Sequence, residues 1–266
     1  MRVEHIGDAT LYNGDCLEVM ARLERVSHVI SDPPYEQISQ DRIGGIKRND
    51  GGKVTEKLTF VGIDGLRDAV CQATHRICEG WGIFFCTSEG VAIWRDSIEA
   101  AKIRYKTPMV WIKPDAMPKF NGQGAALGHE NIVTCWAGAG KARWNAGGKR
   151  GVYTHLTNQR DRDGRHPTEK PVPLMRELLT DFTNPGETIL DPFMGSGTTG
   201  VACAKMGRKF IGIELDPKYF DIACERIRKA YDQGDMFTEP TKKVKHADMF
   251  APANDNGEPG RAAEPN

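Results

Sequence analysis

Asp32-Pro33-Pro34-Tyr35 joins a carboxylate, two prolines and an aromatic ring at the end of an apolar run that includes Val26, Val29 and Ile30. The run predicts a buried strand. Prolines lack the N–H groups that a ladder needs, so the backbone must leave the sheet after Ser31. Residues before proline favour extended conformations. Asp32 and Pro33 therefore form a stiff projection at a strand's carboxyl end, where open α/β sheets place their ligand crevice. Such a segment can grip a flat ring bearing an exocyclic amine: its oxygens accept from the amine while Tyr35 stacks on the ring.

A second cluster, Asp191-Pro192-Phe193-Met194-Gly195-Ser196-Gly197-Thr198-Thr199-Gly200, follows the short apolar run Thr188 to Leu190 and precedes a predicted helix over 201–206. Its glycines obey G-x-G-x-x-G. Glu214 ends the next predicted strand about twenty residues on, where an acid can hold a ribose. Val201-Ala202 stand where a Walker loop needs Lys-Ser/Thr, which excludes that motif. The local pattern suits a dinucleotide and S-adenosylmethionine equally. An amine-gripping segment serves no purpose in hydride transfer but does make a methyl-acceptor site, which favours S-adenosylmethionine over a nicotinamide cofactor.

Two smaller features flank these. Asp15 lies where a predicted strand over 10–14 gives way to a helix carrying Leu17, Met20 and Leu23, and on its own it reads as an N-cap. His166-Pro167-Thr168-Glu169-Lys170-Pro171 opens a helix whose apolar face is Leu174, Leu178 and Leu179. Thr168 is placed to cap that helix and Pro171 suits its first turn. A helix N-terminus beside a lysine attracts a carboxylate or phosphate.

Holding these groups requires a sheet. Predicted helices over 66–77 and 91–101 alternate with predicted strands over 81–86, 109–112 and 132–136, which implies a parallel sheet covered on both faces. Residues 36–63 and 115–128 predict long loops. The string His129-Glu130-Asn131-Ile132-Val133 lacks the second histidine of a zinc-protease helix, so no metal is expected. A chain of 266 residues suits one large α/β domain or two small ones. Its 36 basic and 36 acidic residues leave nucleic-acid binding open. The apolar runs are too short for a membrane span and the N-terminus too polar for a signal peptide, which predicts a soluble, cytoplasmic protein with no membrane partner. Seven cysteines without a C-x-x-C pair predict buried thiols.

Taken in order, Asp32-Pro33-Pro34-Tyr35, His166-x-Thr168-x-Lys170-Pro171 and Asp191-Pro192-Phe193-x-Gly195-Ser196-Gly197-Thr198 resemble the motifs of the β group of DNA amino-methyltransferases, over roughly residues 8–230. The resemblance implies an α/β, Rossmann-like fold with a seven-stranded, mostly parallel sheet in circularly permuted order, Thr10 to Gly14 lying beside the strand Phe210 to Leu215. It implies S-adenosylmethionine as donor, with Asp15 and Cys16 near its adenine and Glu214 on its ribose. Lys170 and the loop Gly195, Ser196, Gly197 and Thr198 lie near its methionine carboxylate, and Thr168, Pro171, Asp191, Pro192 and Phe193 belong to the same cofactor-binding set. Asp32, Pro33, Pro34 and Tyr35 become the catalytic set, acting on a base flipped out of double-stranded DNA. Asp at the first position leans toward adenine N6. Cytosine N4 is the alternative, and a catalytically silent DNA-binding relative is the rival from another class. The chain has no Pro-Cys dipeptide, which counts against methylation of a ring carbon.

Between Gly138 and Lys170, eight Lys or Arg residues face three acidic ones, interleaved with Trp144, Tyr153 and His155. A basic, aromatic-bearing insert beside a ligand crevice is what phosphate contact requires. Arg143, Lys149, Arg150, Arg160, Arg162 and Arg165 are the predicted DNA contacts, and the stretches 138–165 and 36–63 the predicted target-recognition regions. The methyltransferase domain is expected to span 1–230, with a polar, disordered tail over 231–266. The resemblance leaves room for a homodimer and a cognate restriction enzyme, neither of which the residues specify.

Overall fold

The structure, a computed structural model, describes residues 1–35, 62–120, 123–157 and 169–233. Its ten strands are β1 (Arg2–Ile6), β2 (Ala9–Asn13), β3 (His28–Ser31), β4 (Trp81–Cys86), β5 (Arg104–Tyr105), β6 (Met109–Ile112), β7 (His129–Trp136), β8 (Val152–Thr154), β9 (Thr188–Asp191) and β10 (Lys209–Glu214). They form one sheet in the order β1-β2-β10-β9-β3-β4-β7-β6-β8, with β5 pairing β7. The run β2-β10-β9-β3-β4 is parallel throughout, and only β1 and β7 oppose the rest. The expected pairing of the 10–14 strand with the 210–215 strand is present, from Phe210 opposite Ala9 to Glu214 opposite Asn13. The expected seven strands become ten because β1, β5 and β8 extend the sheet; β5 and β8 are too short to show a period in the sequence.

Six helices cover the sheet: α1 (Cys16–Arg22), α2 (Arg67–Ile77), α3 (Gly90–Ala100), α4 (Val172–Phe182), α5 (Thr198–Lys205) and α6 (Pro217–Asp232). The pleat sends alternate side chains of each central strand to opposite faces. On β4, Trp81, Ile83 and Phe85 enter one core with Leu174, Leu178, Val201 and Ile227 from α4, α5 and α6. Phe84 and Cys86 enter the other with Val19, Val70, Trp94 and Ile98 from α1, α2 and α3. A strand buried on both faces explains the unbroken apolar run WGIFFC. All seven cysteines are free and buried, as their apolar neighbours predicted. Among the described residues no helix is long and apolar enough to cross a membrane.

The predicted end of the domain at residue 230 falls short of the structure. α6 continues to Asp232, and the Tyr231 hydroxyl accepts from the Asp8 N–H at 3.1 Å, fastening the helix to the β1–β2 turn. Residues 234–266, most of the 36–63 loop and residues 158–168 lie outside the described residues, and with them the expectations for Thr168, Arg160, Arg162 and Arg165.

Candidate active site

Parallel strands aim their carboxyl ends at one edge, so residues far apart in the chain meet there. β10, β9 and β3 are consecutive in the sheet and deliver Glu214, Asp191 and Asp32 side by side, with Asp15 following β2 on the far side of β10. The Ser31 hydroxyl, at the end of β3, donates to Asp191 Oδ1 at 2.6 Å across the β3–β9 pair. The segment from Asp32 to Tyr35 and the glycine bend therefore share one cleft.

Asp191 braces the bend. Its Oδ1 also accepts from the Phe193 N–H at 3.1 Å and its Oδ2 from the Thr199 hydroxyl at 2.7 Å. Burial is the main cause that pushes its carboxyl up to about 6. Gly195 and Gly197 adopt φ of 52° and 81°, the left-handed region that side chains avoid. Gly200 has a different reason: a Cβ there would stand 2.5 Å from Ile227 Cδ1 and 2.7 Å from Phe210 Cε1, where α5 presses on the sheet and α6. α5 starts at Thr198, earlier than expected, and has no side-chain cap, so its first-turn N–H groups are available to a ligand. Glu214 Oε2 accepts from the Gly195 N–H at 2.9 Å and Oε1 from the Asp216 N–H at 2.8 Å, which holds the acid against the bend; burial raises its pKa. Pro192 and Phe193 lie inside the bend, and Ser196 and Thr198 rest on a residue the motifs did not flag. Arg226, buried on α6, donates to the Ser196 carbonyl at 2.7 Å and its hydroxyl at 2.8 Å, and reaches Thr198 Oγ1 at 3.4 Å. At the neighbouring strand, Asp15 caps α1 by accepting from the Leu17 and Glu18 N–H groups at 2.9 and 3.0 Å. Cys16 is buried, and burial pushes its thiol up to about 12.

Asp32 meets a lysine. Lys170 Nζ, almost fully buried, donates to Asp32 Oδ2 at 2.5 Å and to the Tyr35 hydroxyl at 3.1 Å, and lies 3.3 Å from Glu130 Oε2. It also sits over the rings of Tyr35 and Phe85. Lys170, expected near a donor's carboxylate, directs its ammonium in this structure at Asp32, Tyr35 and Glu130. Asp32 Oδ1 is buried and has no hydrogen-bond partner among the described residues. Burial raises the Asp32 carboxyl above its ordinary value despite Lys170. Pro33 is buried beside it and Pro34 partly so, fixing the projection after β3. Glu130 was not predicted: on β7 it accepts from Lys113 and, at 2.6 Å, from the Tyr35 hydroxyl. Burial works to raise its pKa, but Lys170 and Lys113 outweigh that and hold it below the usual carboxylate range. In sequence its only signal was an acid inside a strand.

The helix after Lys170 also differs from expectation. α4 begins at Val172 with Pro171 itself as the N-cap residue and no side-chain cap. The predicted DNA contacts divide as well. The Arg143 carbonyl accepts from the Trp81 indole at 2.5 Å, at the start of β4 and so at the amino edge of the sheet. Arg150 just precedes β8, at the same edge. Lys149 is bound to Glu177 at 2.7 Å and Asp181 at 2.5 Å on α4. Arg143 and Arg150 thus lie at the amino edge of the sheet, and Lys149 lies against α4. Among the described residues of the insert, those from His155 to Thr157 follow β8 on the carboxyl side, where Thr157 N–H and hydroxyl donate to Asp115. Trp111, on β6, belongs to the core: it is buried and its indole donates to the His155 carbonyl at 2.9 Å.

A family described as DNA methylase, of the N6/N4 type, matches residues 26–225. The Type II methyltransferase M.HinfI of Haemophilus influenzae is 26% identical over 262 residues, covering 86% of this chain and 71% of the relative. The crystal structure of the M1.HpyAVI–SAM complex superposes with a TM-score of 0.65 at 24% identity, covering 82% of this chain and 98% of that one. The PvuII DNA methyltransferase, cytosine-N4-specific, gives 0.64 at 16% identity, covering 86% and 93%. The two structures establish a shared α/β fold.

Proposed function

This chain belongs to the N6/N4 family of DNA methylases, and from that premise we propose that it methylates the exocyclic amine of a flipped-out base in double-stranded DNA, adenine N6 in preference to cytosine N4. The observation that carries the reading is Asp32 Oδ1, a buried acceptor without a partner among the described residues, one strand from the glycine bend. An exocyclic amine supplies the missing donor.

S-adenosylmethionine fits the other half of the cleft. The left-handed glycines, the uncapped start of α5 and the acid at the end of β10 form a backbone cradle with amide donors on one side and a carboxylate on the other. Gly195, Ser196, Gly197 and Thr198 would hold its amino-acid end, Glu214 its ribose, and Asp15 and Cys16 border its adenine. When bound, it supplies a methyl group activated by a sulfonium. M1.HpyAVI, a relative in fold, has been crystallised with SAM, which supports the choice.

The protein's own task is to make a poor nucleophile attack. The amine lone pair is delocalised into the ring. Hydrogen bonds from the amine to Asp32 and the Pro33 carbonyl localise that pair, orient it and stabilise the positive charge that develops on nitrogen. The methyl would leave the donor's sulfur, which departs as a neutral thioether, and the surplus amine proton would pass to Asp32 or to water. Tyr35 stacks on the extruded base, offsetting roughly 1–3 kcal/mol of lost stacking. The order of the motifs along the chain, acceptor first and glycine bend last, supports the circularly permuted arrangement.

Adenine is preferred on the Asp at the first motif position; PvuII methyltransferase, cytosine-N4-specific by name, keeps cytosine as the second reading. Incubating the full chain with bacterial DNA and labelled S-adenosylmethionine, then separating the nucleosides, tests both. Label in N6-methyladenine is the expected result. Label in N4-methylcytosine would replace the base assignment, and no label would leave the silent DNA-binding rival standing.

A further inference from the structure

Glu130 is an acid where a strand residue should be apolar. It lies near the start of β7, and the residues that follow, Ile132 to Trp136, are buried. A structural explanation would be a hairpin ion pair with Lys113, which leaves β6 opposite. Glu130 uses only one oxygen for that: Oε1 takes Lys113, while Oε2 takes the Tyr35 hydroxyl at 2.6 Å and faces Lys170 Nζ at 3.3 Å. The second oxygen therefore points at the two residues that touch Asp32 and the ring position. Lys170 donates to Asp32 and Tyr35 and lies in ion-pair range of Glu130, all members of the same cluster. Tyr35 is held twice through one oxygen, donating to Glu130 and accepting from Lys170. A tyrosine hydroxyl held from two directions cannot tilt its ring.

We infer that Glu130 is the positioning residue of the acceptor site: it pins the Tyr35 hydroxyl and one arm of Lys170, so that the stacking ring and the Asp32 carboxylate keep a fixed geometry around the amine. This rests on the methyl-transfer reading above. Glu130 touches neither base nor donor. It acts through Tyr35, so its loss lowers turnover and leaves donor binding alone.

The test compares Glu130→Gln, Tyr35→Phe and the double variant in the full chain, measuring kcat, KM and Kd for S-adenosylmethionine, and melting temperature. Glu130→Gln is expected to lose about tenfold or more in kcat with donor Kd unchanged, and the double variant to be no slower than the slower single one, because both cut the same link. A Glu130→Gln variant with wild-type kcat, or losses that multiply in the double variant, would overturn the inference while methyl transfer itself stands. Should the wild-type chain methylate no DNA, the functional reading fails, and Glu130 is judged separately by the Tyr35 ring-flip rate from 13C-tyrosine NMR on protein without donor or DNA. Faster flipping in Glu130→Gln is expected; an unchanged rate overturns the positioning role.

Discussion

The two edges of the sheet each carry a buried polar cluster, and they are finished differently. At the amino edge, His28 is 2% exposed; its Nδ1 accepts from the Trp81 N–H at 2.9 Å and its Nε2 donates to Glu187 at 2.9 Å. Arg208 donates to the Thr183 carbonyl at 3.0 Å, and Asn145 does the same at 3.1 Å. None of these side chains leaves a buried polar atom unpaired among the described residues. At the carboxyl edge, Asp32, Lys170, Glu130 and Tyr35 are bonded as densely, yet Asp32 Oδ1 is left over. Buried polar groups without partners cost stability, so a satisfied cluster reads as scaffold and an incomplete one as a site awaiting its ligand.

The contrast can be broken most forcefully at Lys170. Lys170→Met strands Asp32, and removing one partner of a buried ion pair costs about 3–5 kcal/mol, read as the shift in urea midpoint. Gly200→Ala attacks the bend by overpacking: its methyl would press on Phe210 and Ile227, and a loss of about 1–3 kcal/mol is expected with donor affinity falling alongside it.

The amino edge responds to pH. Burial is the main reason that the His28 pKa is lowered from 6.5, and protonating Nδ1 would break the bond from Trp81. With the folded value depressed, the unfolded chain binds more protons, so this stabilisation is present above 6.5 and lost as pH falls through the folded value. Melting temperature is expected to drop more between neutral and mildly acid pH in the wild type than in His28→Gln. Asp191, pushed to about 6, works in the opposite direction in both proteins, so the difference between them isolates His28. The smallest effect is expected at Arg143. Arg143→Glu leaves DNA affinity unchanged because the residue sits at the scaffold edge, whereas charge reversal at Arg160 and Arg162 weakens binding with a reduced salt slope.

The sequence made the central strands and the two motif corners legible because both follow local rules: apolar runs bounded by turns, and glycines where left-handed backbone is needed. β8 and β5 escaped because a strand of three residues or two has no period to read. Glu130 escaped, as did the contact of Lys170 with Asp32, because both depend on contacts that span the fold; Lys170 and Asp32 are 138 residues apart in the chain. Arg226 escaped for the same reason, propping Ser196 from a helix 30 residues later. For the basic insert, charge composition does not say at which edge of the sheet each residue lands, so the positions of Arg143 and Arg150 at the amino edge were not legible.

The most direct test of the account is Asp32→Ala, assayed side by side for calorimetric binding of S-adenosylmethionine and for labelled-methyl transfer to duplex DNA. The expected result is wild-type donor affinity with no detectable transfer. Transfer at the wild-type rate would show that the amine is held by something other than the carboxylate at the end of β3, and would contradict the account.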